Sequence, residues 1–213
     1  MNRAERENAL AHTKLYLCTD ARSTQGDLTE FLHACYEGGA DIIQLRDKKL
    51  EARAEITALE TLADVARQHG KMFAVNDRAD VALLVDADVF HVGQGDLTTQ
   101  QARKVLGPNV LMGRSNNSVA QFQQSYSDPG LDYAVIGPVW PTPTKPGRPA
   151  VGLEVVKQCA DLAGDKPWFA IGGISAETAP EVIDAGAQRI VVVRALTEAK
   201  DPAAAAALLR NKL

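Results

Sequence analysis

The chain has 213 residues, 46% of them hydrophobic and 23% charged, which is enough to bury a sizeable core and too apolar for a disordered chain. Its 23 basic residues against 27 acidic ones give a net charge of −4, and aromatics are only 5%. A basic footprint for nucleic acid and an aromatic stacking surface are therefore excluded, and the sign of the charge weighs against an anionic ligand until the cations are read by position.

Cys18, Cys35 and Cys159 are odd in number, far apart and free of any CxxC pair, so they read as reduced, buried thiols rather than a disulfide framework or a zinc site. The N-terminal segment carries charges and no apolar stretch of signal-peptide length. No run of about 18 apolar residues occurs. The expectation is a soluble, cytoplasmic protein.

In chain order, a helix is expected over residues 2–11. Short apolar runs follow at Leu15–Cys18, Ile42–Leu45, Met72–Val75, Val89–Val92, Val110–Met112, Tyr133–Ile136, Trp168–Ile171 and Ile190–Val193. Most lack polar alternation, as parallel strands covered on both faces do. The segments between them read as helices. Asp27 with Glu30 caps one, Thr98 with Gln101 forms a capping box, and Asp201-Pro202 opens the last. Gly38-Gly39, Gly70 and Gly186 stand where helices stop. Strand and helix alternating eight times, with no linker, predict a single-domain (β/α)8 barrel, a TIM barrel, over residues 1–213. A doubly wound open sheet is the weaker alternative.

Barrel chemistry gathers where strands exit into βα loops. After the second run, alternation puts Gln44, Arg46 and Lys48 on one side, a set suited to phosphate or diphosphate, although a solvated charged loop reads the same way. Asn76-Asp77-Arg78 follows the third run and Gly93-Gln94-Gly95-Asp96 the fourth. Asp77 and Asp96 on adjacent strands suit one Mg²⁺, while either alone is as well read as a structural aspartate. His91 reads as a satisfied core histidine. Gly113-Arg114-Ser115 follows the fifth run, and Ser115 or Ser118 serves as ligand contact or as helix cap. The sixth run leads into Gly137–Pro149, where five of the ten prolines fall in 13 residues. A stiff, long loop of this kind, carrying Thr142, Thr144 and Lys145 and no acid, reads as functional. Gly172-Gly173-Ile174-Ser175 is expected to open a helix whose N-terminus receives phosphate, beside Val193-Arg194. Arg46, Lys48, Arg114, Lys145 and Arg194 thus all fall at strand exits. Two anion sites emerge, one with a metal, and no nucleophile is evident. Positioning and leaving-group stabilisation fit better than covalent catalysis.

These stretches together resemble the thiamine-phosphate synthase family. The resemblance rests on Gln44-Leu45-Arg46-Asp47-Lys48, Asn76-Asp77-Arg78, Gly93–Asp96, Gly113-Arg114-Ser115, Pro141–Gly147 and Ala170–Ile174, and spans about Leu15 to Leu196. It implies a (β/α)8 transferase joining hydroxymethylpyrimidine diphosphate to a thiazole phosphate, or its carboxylated form, with release of diphosphate. By position, Gln44, Leu45, Arg46, Asp47, Lys48, Asn76, Ser115 and Lys145 would hold the pyrimidine diphosphate. Arg46, Lys48, Lys145 and Ser115 would assist its departure, with Mg²⁺ on Asp77 and Asp96. Thr142, Pro143, Thr144, Gly173, Val193 and Arg194 would hold the thiazole phosphate. The implied partners are small molecules, with no nucleic acid or membrane, and a homo-oligomer is compatible with the chain. The family often carries Ser where Arg194 stands and His where Asn117 stands. A thiazole tautomerase would not need Asp77, Asp96 and Lys145 together. A non-catalytic binding protein would not need the metal carboxylates.

Overall fold

The computed structural model describes residues 1–143, 147 and 149–213. Helix α1 (Arg3–His12) precedes eight strand–helix units: β1 (Leu15–Thr19), α2 (Leu28–Glu37), β2 (Ile42–Leu45), α3 (Ala52–Gln68), β3 (Met72–Asn76), α4 (Ala79–Leu84), β4 (Val89–Val92), α5 (Thr99–Leu106), β5 (Leu111–Asn116), α6 (Val119–Ser127), β6 (Tyr133–Ile136), α7 (Gly152–Leu162), β7 (Trp168–Ile171), α8 (Ala179–Asp184), β8 (Ile190–Val192), with α9 (Arg194–Thr197) and α10 (Pro202–Arg210) after it. Neighbouring strands pair in parallel, and β8 pairs with β1 to close the barrel, as the alternation of elements predicts.

The strands alternate between two cores. Tyr16, Ile42, Met72, Val89, Leu111, Tyr133, Phe169 and Val191 fill the barrel interior. Leu17, Ile43, Phe73, Phe90, Met112, Ile136 and Val192 point outward to the helices. Helix α3 answers with Leu59, Leu62, Ala63 and Ala66 at three- and four-residue spacing, an apolar stripe facing the sheet. Helix α1 closes the bottom of the barrel. Its capping box pairs Asn2 with Glu5, and Leu10, 3% exposed, packs into the interior core.

Three aspartates at the bottom fix the register of the even strands. Asp41, Asp88 and Asp132 each stand one residue before β2, β4 and β6. Asp41 accepts from the backbone N–H of Lys14 (2.8 Å) and Leu15 (3.1 Å), Asp88 from Phe73 (3.4 Å) and Asp132 from Met112 (2.7 Å). Each is neutralised by cations: Asp41 by Lys71, Asp88 by Arg6, Asp132 by Arg3 and Arg103. Arg189 holds the equivalent position before β8. There β7 and β8 register through just Ala170↔Ile190 and Ile171↔Val191, against four pairs between β2 and β3.

The caps at Thr98 and Asp201 form as expected, Thr98 accepting from Gln101 N and Asp201 from Ala204 N. Asp27 does not cap α2 with its side chain. Its carboxylate is taken by Arg22, at 2.6 and 2.8 Å, and the charged fork outcompetes a single backbone N–H. The three cysteines are buried, and burial pushes the Cys35 and Cys159 thiols up to about 12. Among the described residues, no helix is long and apolar enough to cross a membrane.

Candidate active site

Two cavities, each of about 260 Å³, open at the C-terminal ends of the strands. They share a wall of Ile171, Val191 and Val193.

The first cavity is lined by Gln44, Arg46 and Lys48, as the alternation from β2 requires, together with Asn76, Asp77, Asp96 and Ser115. Leu45, read with this group, points the other way. It is 1% exposed in the core between strands and helices. Asp47 shapes the loop instead: its carboxylate accepts from Lys49 N at 3.1 Å and Ala21 N at 3.5 Å.

The two metal-site candidates meet. The Asp77 and Asp96 carboxyls are in hydrogen-bonding contact, and Lys48 Nζ lies 2.6 Å from Asp77. Burial pushes the Asp77 carboxyl up against the pull of Lys48, and the neighbouring Asp96 charge adds to the rise. Burial acts on Asp96 too, but hydrogen bonds from Asp77 and from Gly93 N–H at 2.7 Å leave it below the ordinary carboxylate range. Asp77 is not a helix cap, since Arg78 holds that position at α4. Asp77 instead sits at φ +61, a left-handed conformation uncommon outside glycine, with its N–H on His91 O at 2.9 Å. From this conformation the carboxyl reaches Asp96.

Behind this cavity lies a chain of buried polar side chains. Ser115 Oγ meets His91 Nε2 at 2.8 Å, His91 Nδ1 meets the Tyr133 hydroxyl at 3.0 Å, and Tyr133 meets Tyr16 at 3.3 Å. Gln44 donates to the Tyr16 hydroxyl at 3.1 Å and accepts from the Cys18 thiol at 3.1 Å. His91 is thus a satisfied core histidine, and it also lines the cavity. Sequence reading missed Tyr16 and Cys18 as cavity residues, because inside an apolar strand they look like core. The only available signal was their inward parity with Gln44 across the β1–β2 register.

Gly113 makes room for this chain. A methyl there would lie 2.1 Å from Tyr133 Cζ. Arg114, next along β5, points outward and donates to Thr99 Oγ1 at 3.0 Å, so it leaves the cationic mouth. Ser118 caps α6 by accepting from Gln121 N, while Ser115 faces the cavity.

The second cavity is lined by Thr142, Gly172, Gly173, Ser175, Val193 and Arg194, with Glu198, an acid that sequence reading missed. The β6 loop is stitched across the β7 exit: Val139 N donates to Ile171 O at 2.9 Å and Trp140 N to Gly172 O at 3.1 Å. Gly172 and Gly173 adopt φ +105 and +73, and a methyl at Gly172 would lie 2.4 Å from Pro138 Cβ. They do not open a helix directly. A turn intervenes, and the six-residue α8 begins at Ala179, so the cup is made of loop backbone rather than a long helix N-terminus. Pro143 is exposed. Thr144 and Lys145 lie outside the described residues. Asn117 donates from Nδ2 to Gly137 O at 2.6 Å and anchors the start of the loop.

The family model described as "Thiamine monophosphate synthase" matches residues 15–196. A thiamine-phosphate synthase of Streptomyces avermitilis is 56% identical over 204 residues, covering 96% of this chain and 95% of its own. One of Saccharopolyspora erythraea is 56% identical over 217 residues, covering 99% and 96%. The solved thiamine phosphate pyrophosphorylase of Pyrococcus furiosus superposes with a TM-score of 0.85 at 33% identity, covering 97% of this chain and 96% of that one.

Proposed function

Because the chain belongs to the thiamine monophosphate synthase family and is a transferase of thiamine biosynthesis, we propose that its two cavities hold the two halves of the joining reaction. The observation that carries this reading is the shared apolar wall of Ile171, Val191 and Val193 between a cationic, carboxylate-bearing cavity and a glycine-lined one. Ligands seated on either side would meet over that wall, away from competing water.

In this reading the first cavity takes hydroxymethylpyrimidine diphosphate on Gln44, Arg46, Lys48, Asn76 and Ser115, with Lys145 from the loop. The second takes the thiazole phosphate, or its carboxylated form, on Thr142, Pro143, Thr144, Gly173, Val193 and Arg194. Asp77 and Asp96 would hold Mg²⁺. The donor set fits: two carboxylates forced into contact beside a lysine are a hard-oxygen site that a divalent cation relieves. When bound, that ion supplies charge neutralisation for the leaving diphosphate.

The chain's own groups support a dissociative route. Arg46 and Lys48 offer donors to diphosphate oxygens as the carbon–oxygen bond breaks and its electron pair leaves with the diphosphate. The thiazole nitrogen then gives its lone pair to the pyrimidine methylene carbon, and no proton need move. Ser115, oriented through His91 and Tyr133, would fix the pyrimidine. Three buried thiols, odd in number, favour action in a reducing cytoplasm. The test is direct: folded protein, both substrates and Mg²⁺, with thiamine phosphate as readout. Absence of product overturns the reading, and binding of thiamine phosphate without turnover would favour a non-catalytic carrier.

A further inference from the structure

A cluster at the opposite end of the barrel has no part in this chemistry. His33 and Glu37 stand four residues apart on one face of α2, and His69 is the C-cap of α3. His33 Nδ1 and His69 Nε2 lie 2.9 Å apart. One ligand atom from each of His33, Glu37 and His69 lies within 4.8 Å of the others, the one such group of three His, Cys, Asp or Glu among the described residues. The two imidazoles meet edge to face at 5.1 Å between ring centroids. Tyr36 stacks on His69 at 5.6 Å, and its hydroxyl is fixed by donation to Met72 O at 2.9 Å, which holds the imidazole in place. Both helices end here, so their carbonyl ends add a field that favours a cation.

We propose that His33, Glu37 and His69 form a site for a divalent transition metal of the Zn²⁺ class, with water as a fourth ligand, tying the end of α2 to the end of α3. Two imidazoles and one carboxylate are a recurrent zinc donor set, whereas Mg²⁺ prefers oxygen ligands, so this site and the Asp77–Asp96 pair select different ions. Nitrogens bound to tetrahedral zinc at about 2.0–2.1 Å sit about 3.3 Å apart, so the observed pair needs to open by only a few tenths of an ångström. Without metal, one imidazole donates to the other. With metal, both facing nitrogens must be deprotonated. Half-buried histidines and an exposed Glu37 leave the ion a path in.

The experiment titrates the full chain with Zn²⁺ by calorimetry in excess Mg²⁺, which occupies the carboxylate pair, and records Co²⁺ visible spectra in parallel. Wild type is expected to bind one equivalent, with Co²⁺ d–d bands of tetrahedral intensity. His33→Gln and His69→Gln are each expected to weaken binding by at least about tenfold and to abolish those bands, with synthase activity retained as proof of folding. Glu37→Gln, at an exposed side chain, is the milder variant should either histidine variant fail to fold. The proposal is overturned if wild type shows no saturable Zn²⁺ binding. It is equally overturned if the variants bind as wild type does, or if binding is lost in Asp77→Asn instead.

Discussion

Replacing Gly113 with alanine tests whether the interior of the barrel is as tightly filled as the structure implies. Gly113 of β5 pairs with Tyr133 of β6, and an added methyl would lie 2.1, 2.3 and 2.4 Å from three atoms of that ring. Non-bonded carbons rest about 3.5–4.0 Å apart, so ring or strand must give by roughly 1.5 Å. Tyr133 has nowhere to go. It is fully buried, edged by Phe169 at 5.5 Å and hydrogen-bonded to His91 and Tyr16. Overpacking of this kind costs about 1–3 kcal/mol. Pulling the hydroxyl from its buried partners adds about 1–3 kcal/mol. The sum, about 2–6 kcal/mol, converts to a melting midpoint lower by about 4–24 °C for a chain of this size. Thermal and urea unfolding followed by circular dichroism read it. The double variant Gly113→Ala/Tyr133→Val should be less destabilised than the separate losses sum to, because the second change removes the clash. A Gly113→Ala protein within about 0.5 kcal/mol of wild type would refute the reasoning.

Other outcomes follow from the same geometry. Asp96→Ala should lower Mg²⁺-dependent turnover on the order of 100-fold while the circular dichroism spectrum stays that of the barrel; unchanged turnover removes Asp96 from the metal site. Arg194→Ser should raise the KM for thiazole phosphate about tenfold with kcat nearly kept, as loss of a charge-assisted contact predicts; a fall in kcat alone would show that Arg194 acts at the reaction centre instead. Lys145→Ala should lose more in kcat than in affinity for the thiazole phosphate, and the reverse pattern would assign it to the second cavity. Leu10→Ala, which empties the plug at the barrel bottom, should cost about 2–5 kcal/mol in urea unfolding with kcat unchanged.

The strands were legible because burial on both faces leaves little but apolar residues, and four of the eight runs match the observed strands at both ends. β5 shows the limit. Its sequence turns polar after Met112, yet the strand runs on to Asn116. Gly113 yields space to Tyr133, and Asn116 Nδ2 binds Arg114 O and Val135 O, each at 3.0 Å. Tyr133 and Val135 belong to the next strand, β6, and leave no local pattern in β5. Asp27 failed as a cap for a related reason: Arg22, five residues back, bids for the same oxygens. At the mouth, parity within a strand was enough to bring Gln44, Arg46 and Lys48 to one cavity, and the same parity, had it been applied to β5, would have sent Arg114 outward. The Asp77–Asp96 contact was readable because adjacent strands in a barrel have adjacent exits. The three bottom aspartates were not, since their role exists only once strands are side by side.

Those aspartates leave one joint unclasped. Between β7 and β8 the ladder is short and Arg189 stands where the other even strands have their carboxylate. It is also where the two cavities share Ile171 and Val191, and where Gly173 and Arg194 both line the second cavity. Local opening is expected to start at this joint, and backbone hydrogen exchange faster in β7 and β8 than in β2 and β3 would show it. If Gly173 and Arg194 hold the thiazole phosphate, that anion would serve as the missing clasp. Part of its binding free energy would then go into tightening this joint, which mass action would make firmest with the acceptor bound.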